Sequence, residues 1–212
     1  MKYWSKIYLF VLVVALLGAA SFLLSIIKGQ AQTDTETITL STDVQTAIAM
    51  TVSSATYPFG NLTAGTPKKG SAGIDVDVTT NASNGYTLGI HDGVAGSNSC
   101  LLHTDTVTRI IDYASAIASP TLWNLGVDKG LGTTIYAADT SKEAKWGTGT
   151  TYDDANNKYA GIPTAAATIH TSAAYKTGAD TTSIAFIVDV AADQKSGTYS
   201  GDVTLTATAV LI

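Results

Sequence analysis

The sequence predicts an all-β fold, an antiparallel β-sandwich that follows an N-terminal hydrophobic segment. Apolar and polar residues alternate in several short runs, turn residues such as Asn-Gly and Ser-Gly separate the runs, and no long helical pattern follows the hydrophobic segment. Alternation with a period of two is typical of strands that bury one face. From the number of runs we expect about seven to nine short strands, which is typical of an antiparallel sandwich.

The N-terminal segment has the features of an export signal. Lys2 and Lys6 precede an uncharged apolar run of 21 residues, 7–27, and about 20 residues span a bilayer. Residues 1–31 are therefore predicted to be a signal peptide, removed after the small-x-small site at 29–31, or a retained transmembrane anchor. In either case the positive-inside rule places the rest of the chain outside the cytoplasm, in the medium or at the cell surface. Membrane contact is then expected only through this segment, if it is not cleaved.

A polar linker is predicted at residues 32–37, and a single β-sandwich domain at 38–212. The domain begins with a predicted long strand, or two strands with a bend, at residues 38–52, whose apolar side chains fall on even positions: Ile38, Leu40, Val44, Ile48, Met50 and Val52. No partner strand lies close by in the sequence. We therefore expect this strand to pair with a distant one in its own chain or to add to the edge of a neighbouring subunit.

The next predicted elements form a hairpin. Ile74, Val76 and Val78 alternate with polar residues, and a second alternating run begins at Tyr86. The intervening loop ends in Asn84-Gly85, a pair that supplies the positive φ angles of a tight turn. The sequence thus predicts two adjacent antiparallel strands.

The middle of the chain is less regular. Residues 120–127 are predicted to form a strand, and the polar, glycine-rich residues 128–157 are predicted to form surface loops, where binding sites are common. Four aromatic residues in this region are candidate glycan contacts, because aromatic rings stack on the apolar faces of sugars: Trp123, Tyr136, Trp146 and Tyr152. In the alternative interpretation Trp123 belongs to the core and the other three cap loops.

The C-terminal runs are the most regular. In the first, Ile184, Phe186, Val188 and Val190 share one face, and Asp189 is expected on the other. In the second, a closing strand places Val203 and alternate residues after it toward the core, with the intervening threonines toward solvent. A polar stretch that ends in Ser196-Gly197 connects the two runs.

Composition and motifs favour a protein without enzymatic activity. The net charge of −5 and the absence of a basic patch argue against nucleic acid as a partner. The sequence contains no Gly-x-Ser-x-Gly elbow and no phosphate-binding loop, and its three histidines are scattered. We therefore expect no catalytic site, cofactor or metal. Cys100, the single cysteine, allows no intrachain disulfide and is expected to be a buried small side chain.

Several short motifs resemble those of bacterial secreted proteins. Their order is FGNL, TTNASNGYTL, a central Trp-x-Leu at residues 123–125, and SGTYSGDVTLTATA at the C-terminus. Over most of residues 37–209 this order resembles the spore coat protein U type, which is related to pilus subunits, and the WxL-type cell-wall proteins. The resemblance implies an immunoglobulin- or pilin-like sandwich. The second Trp-x-Leu of the WxL pattern is absent.

Two functional hypotheses follow. The first is an exported, non-enzymatic structural or adhesion protein of the cell surface, a class that includes subunits of envelope or fibre assemblies, with other surface subunits as partners. The second is a surface module that binds carbohydrate or peptidoglycan of the cell wall through the aromatic residues of the 123–152 region.

Overall fold

The computed structural model describes residues 8–17, 36–92 and 101–211. The chain divides into two compact units, Met1–Asp43 and Val44–Ile212. In the first unit, residues 8–17 are helical, and residues 36–43 are exposed and have no regular secondary structure. Within the described ranges, no helix has the length and apolar character that a membrane crossing needs. Most of the predicted signal or anchor, and Cys100, lie outside the described residues.

The second unit is built from β-strands. In chain order they are β1 (Ile48–Val52), β2 (Lys68–Lys69), β3 (Ile74–Thr80), β4 (Tyr86–Asp92), β5 (Leu101–His103), β6 (Arg109–Ile110), β7 (Thr121–Leu122), β8 (Gly130–Ala138), β9 (Lys158–Tyr159), β10 (Ala167–Ser172), β11 (Lys176–Asp189), β12 (Tyr199–Ser200) and β13 (Val203–Ala209). A single 3-10 turn, Ala144–Trp146, separates β8 from β9. The all-β class predicted from the sequence is confirmed.

Strand β11 organises the larger sheet. One of its edges pairs with β3 and then with β2, and its other edge pairs with β8 over the register Thr182–Ala138 to Asp189–Gly130. Strand β1 pairs with the free edge of β3, and all these pairings are antiparallel. The second sheet has the order β10-β4-β13 and is also antiparallel. Two smaller groups, β12-β5-β6 and β7-β9, complete the pairing of the named strands.

The two larger sheets share one hydrophobic core. Each of β3 and β4 buries alternate residues, as a strand with one covered face must. The core receives side chains from β3, β4 and β11 in particular: Val76, Val78, Leu88, Ile90, Ile184 and Phe186. Side chains of β13, including Val203 and Leu205, pack against this core from the edge of the second sheet. The alternation predicted for β3, β4 and β13 is confirmed.

The predicted long strand, residues 38–52, is wrong in its extent. Only Ile48–Val52 form a strand, which pairs with β3 of the same chain. The side chain of Asn81 holds the residues just before β1 in place. It accepts a hydrogen bond from the N–H of Ala47 (2.6 Å) and donates one to the carbonyl oxygen of Gln45 (2.8 Å). Gln45 and Ala47 are therefore fixed next to β1 although residues 36–47 have no regular secondary structure.

The predicted hairpin after β3 is also wrong. Strands β3 and β4 lie in different sheets, so residues 81–85 carry the chain from one sheet to the other. Gly85 has φ +73° and its N–H donates to the Ala82 carbonyl oxygen (3.1 Å). A Cβ atom at Gly85 would lie 1.8 Å from the Ser172 carbonyl oxygen. The Asn-Gly pair does make the expected turn, but backbone from β10 packs against it and the turn does not close a hairpin.

The middle region contains a central strand where the sequence predicts loops. Strand β8 lies within residues 128–157, and Gly130 to Ile135 are buried. Gly132 leaves room for the side chains of Ile187, Trp123 and Tyr159, which an added Cβ would approach within 3.2–3.3 Å. Because both faces are covered, β8 has no apolar–polar alternation. The predicted strand 120–127 is wrong except for Thr121–Leu122.

Strand β11 is buried on both faces, and not on one as the sequence predicts. Ala185, Ile187 and Asp189 are as inaccessible as Ile184 and Val188. The carboxylate of Asp189 therefore faces no solvent and instead pairs with Lys129 Nζ at 2.8 Å. A buried acid that gains a cation in this way avoids most of the cost of an isolated charge.

The connection between the sheets is tested by Gly85→Ala, with Gly60→Ala as its control. Both glycines have positive φ, but nothing lies within 4 Å of a Cβ at Gly60. We expect Gly60→Ala to lose about 1 kcal/mol for the backbone conformation alone, and Gly85→Ala about 2–4 kcal/mol because the methyl group meets the Ser172 carbonyl. Urea unfolding measures both values. Equal losses would contradict the close packing of β10 against this turn.

Candidate functional site

An apolar cleft of about 470 Å³ opens between the edges of the two larger sheets. Its floor includes core residues Ile74, Ile184 and Phe186. One wall carries Met50 and Val52 of β1, and the other carries Val203 and Leu205 of β13. These side chains lie on the inward faces of their strands, so the cleft is a part of the core that the sheets leave uncovered.

Both walls of the cleft are edge strands. Strand β1 pairs only with β3 and strand β13 only with β4, within the residues that the structure describes. Each therefore presents one row of backbone N–H and C=O groups without a hydrogen-bonded partner strand, although the two strands approach each other to within 8 Å between Cα atoms. Such an edge is a ready template for another extended chain. The cleft thus combines apolar side-chain contacts with backbone hydrogen-bonding groups on two sides.

Aromatic residues form one end of the cleft. Tyr57 packs edge-on against Phe59 (5.3 Å between ring centroids) and Phe186 (5.1 Å). Its hydroxyl donates to the carbonyl oxygen of Phe186 at 3.2 Å, and burial raises the pKa of Tyr57. Gly70 permits this position, since an added Cβ would lie 2.6 Å from the Tyr57 ring. Tyr57 is therefore held in place at this end of the cleft by its contacts with Phe186 and Gly70.

Of the four aromatic residues predicted to contact glycans, Trp146 is inaccessible. Its side chain is 0% exposed, and its indole N–H donates to the Ile169 carbonyl oxygen at 3.1 Å. A ring in this position has no free face for a sugar. The 3-10 turn Ala144–Trp146 places it in the core, and nothing in the surrounding polar sequence indicates this.

The other three aromatic residues are partly exposed but form no common platform with Trp146. Trp123 packs against Tyr113 (4.7 Å, 37° between the ring planes) and edge-on against Tyr159 (6.0 Å). Tyr136 lies on β8, where its hydroxyl packs against Gly73. Tyr136 and Tyr152 are both close enough to Tyr57 to add small increases to its pKa. Sequence reasoning missed Tyr113 and Tyr159, the direct neighbours of Trp123.

A buried polar network lies elsewhere in the core, around Asp180. Its carboxylate accepts hydrogen bonds from the Tyr86 hydroxyl (2.9 Å) and the Thr140 hydroxyl (2.7 Å), and Lys176 Nζ lies 3.2 Å away. Burial alone would raise the pKa of Asp180, but the hydrogen bonds, including one from Ser172, hold it below its ordinary value. Burial and the bond to Asp180 raise the pKa of Tyr86. The fold thus keeps a satisfied carboxylate inside the core.

His170 lies beside this network and is itself unsatisfied. The residue is buried, neither ring nitrogen has a hydrogen-bond partner among the described residues, and its ring centroid is 6.3 Å from that of Tyr86. Burial lowers the pKa of His170, and the negative charges of Asp180 and Glu143 only partly oppose this shift. The imidazole is consequently neutral in the folded protein near pH 7. It is also enclosed, so it has no access to a substrate.

The geometry of the site is that of a binding surface. In the described ranges, no three His, Cys, Asp or Glu side chains converge as a metal site would require. The Asp180 carboxyl group and the Tyr86 side chain are buried, whereas the accessible cleft is lined mainly by apolar side chains. Shape, apolar contact and backbone hydrogen bonding are what the cleft offers chemically.

Comparison with known proteins adds no relative. No protein-family model matches the chain, and no curated protein or solved structure matches it either. The resemblance to spore coat protein U and WxL proteins remains a prediction from short motifs.

The buried imidazole predicts a pH dependence of stability. The unfolded chain binds a proton on His170 below its ordinary pKa of about 6.5, whereas the folded protein, whose His170 pKa is lowered, does not. The contribution of His170 to folding stability is therefore complete above pH 7 and falls as the pH drops through 6.5. In His170→Phe this contribution is absent. Urea unfolding at pH 7.5 and 5.5 should show a smaller loss for the variant than for the wild type, and equal losses would contradict a neutral buried His170.

Proposed function

We propose that this chain is an exported, non-enzymatic structural protein of the cell surface, a β-sandwich subunit that assembles by strand addition. In this proposal the sheets β1-β3-β11-β8 and β10-β4-β13 are the two layers of the sandwich, and residues 1–31 are the export signal or anchor. The single observation that carries the proposal is the apolar cleft, whose two walls, β1 and β13, are edge strands.

The segment before β1 has the pattern of a strand that could fill such a cleft. Ile38, Leu40 and Val44 are 82%, 90% and 82% exposed, and all occupy even positions. In an extended chain these side chains point to one side, while Thr39 and its odd-numbered neighbours point to the other. A strand of this kind buries its apolar side in the cleft and pairs its backbone with a wall.

A second copy of the chain is the proposed source of this strand. Asn81 clamps Gln45 and Ala47, so these two residues stay beside their own β1 and the donated part ends before them. Residues 36–44 reach about 30 Å when extended, which exceeds the roughly 23 Å of a seven-residue strand such as β13. One copy can therefore supply a whole strand to the next.

A second candidate function is binding of cell-wall carbohydrate through Trp123. The observation that favours it is the tilted Tyr113–Trp123 pair, which lies beside the exposed side chains of Leu122 and Leu125. A partly exposed aromatic pair of this kind can stack on a sugar ring. In this alternative, purified cell-wall sacculi bind the wild-type protein, and Trp123→Ala weakens the binding without changing self-association.

Strand addition is tested by Leu40→Asp, with Thr39→Asp as its matched control. Leu40 is exposed and Thr39 is also exposed, so neither change should alter the melting temperature of the isolated subunit. Burial of a leucine contributes about 1.5–3 kcal/mol, so we expect Leu40→Asp to weaken association of the full-length protein about 10–100-fold. Thr39→Asp should weaken it little. Sedimentation velocity over a concentration series measures the effect.

Two outcomes would contradict strand addition. One is a wild-type protein that stays monomeric at every concentration, and the other is equal weakening by both substitutions. A further check uses a synthetic peptide of residues 37–47. It should bind the subunit and inhibit association in competition, and the same peptide with Asp in place of Leu40 should not.

A further inference from the structure

Two segments of the chain match the Asn-x-Ser/Thr acceptor pattern of N-linked glycosylation, Asn61-Leu62-Thr63 and Asn81-Ala82-Ser83. In both, the middle residue packs inward: Leu62 lies against the hydrophobic core, and Ala82 is buried. The asparagine and the hydroxyl residue on either side are exposed in both segments. The two matches therefore share one pattern of burial, and the bonds of each asparagine side chain distinguish them.

The side-chain amide of Asn81 is already used by the fold. Its Oδ1 accepts the N–H of Ala47 at 2.6 Å, and its Nδ2 donates to the Gln45 carbonyl oxygen at 2.8 Å. Glycosylation requires that Nδ2 be presented to an enzyme, so Asn81 would first have to release the residues before β1. In the folded protein this asparagine is consequently a poor acceptor.

The side-chain amide of Asn61 has no such role. It makes no hydrogen bond to another described residue, and it lies at the rim of a groove of about 940 Å³. A Cβ added at the preceding Gly60 would have nothing within 4 Å, so the space beside the asparagine is open. Backbone bonds fix the turn that follows, because Thr66 N–H donates to the Thr63 carbonyl oxygen at 3.0 Å. The loop thus presents a free amide and a hydroxyl group to solvent.

We propose that Asn61 is the acceptor of an N-linked glycan and that Asn81 is not. The proposal rests on the export of the chain, which is part of the proposed function, because such glycans occur on surface loops of secreted proteins. The co-reactant is a sugar carried on a lipid pyrophosphate, and the enzyme is a membrane oligosaccharyltransferase. Nδ2 of Asn61 forms a bond to C1 of the first sugar while the bond from C1 to the pyrophosphate oxygen breaks. The lipid pyrophosphate leaves with the electron pair, and one amide proton passes to a base of the transferase.

Peptide mass spectrometry of the protein from the cells that produce it naturally tests the site. The peptide that contains Asn61 should carry a glycan, and the peptide that contains Asn81 should carry none. Asn61→Gln and Thr63→Ala should each lose the glycan completely, whereas Thr63→Ser, which keeps a hydroxyl group, and Asn81→Gln should retain it. The side chains of Asn61 and Thr63 are exposed, so their variants should fold as the wild type does.

Cell fractionation in the same experiment separates failure of this proposal from failure of the proposed export. An exported protein with unmodified Asn61, or with equal occupancy at Asn61 and Asn81, overturns the proposal and leaves the export intact. If the protein stays in the cytoplasm, the proposed export is wrong, and an assay outside the cell then decides the acceptor. In that assay the folded full-length protein is incubated with purified oligosaccharyltransferase and a lipid-linked donor. Transfer to Asn61 alone supports the assignment, whereas no transfer or equal transfer to both asparagines overturns it.

Discussion

The enclosure of residues 182–189 of β11 on both faces is the constraint on which the rest of the fold depends. Its two edges pair with β2, β3 and β8, and residues 184–190 are buried on both faces. A strand in this position cannot present a polar side to water, so the fold must cover both faces. One face meets the shared core, and Trp123 and Tyr159 pack near Ile187 on the other. The ion pair of Asp189 with Lys129 follows from the same enclosure.

Strands β1 and β13, in contrast to β11, are each open at one edge within the described residues. The other edge of each is paired, and part of the core is accessible between the two strands. Apolar side chains of the core are thus accessible in this cleft. The proposed function and the fold are connected at this point, because a strand that covers the cleft would also pair with one of these open edges.

The sequence predicted the elements that bury one face and missed those that bury two. Strands β3, β4 and β13 were predictable because Val76, Leu88 and Leu205 each alternate with polar neighbours. Strand β8 was not, because a doubly covered strand of Gly and Thr has no alternation. Asn84-Gly85 correctly indicated a turn, but whether the next strand pairs or crosses to another sheet depends on packing by distant residues such as Ser172. For the same reason the burial of Trp146 and the cleft itself, whose walls lie far apart in the chain, left no local signal.

The pairing of β13 with β4 sets the order in which the domain can be completed. Val203 faces Asp92 and Ala209 faces Tyr86, so the final strand closes a sheet whose central strand was made in the first half of the chain. Contacts so distant in sequence form slowly, because the long intervening loop must close before they contribute. The nascent polypeptide consequently lacks a complete β10-β4-β13 sheet until β13 is available. Until then one edge of β4 has no partner strand, and an unpaired edge of this kind is prone to aggregation.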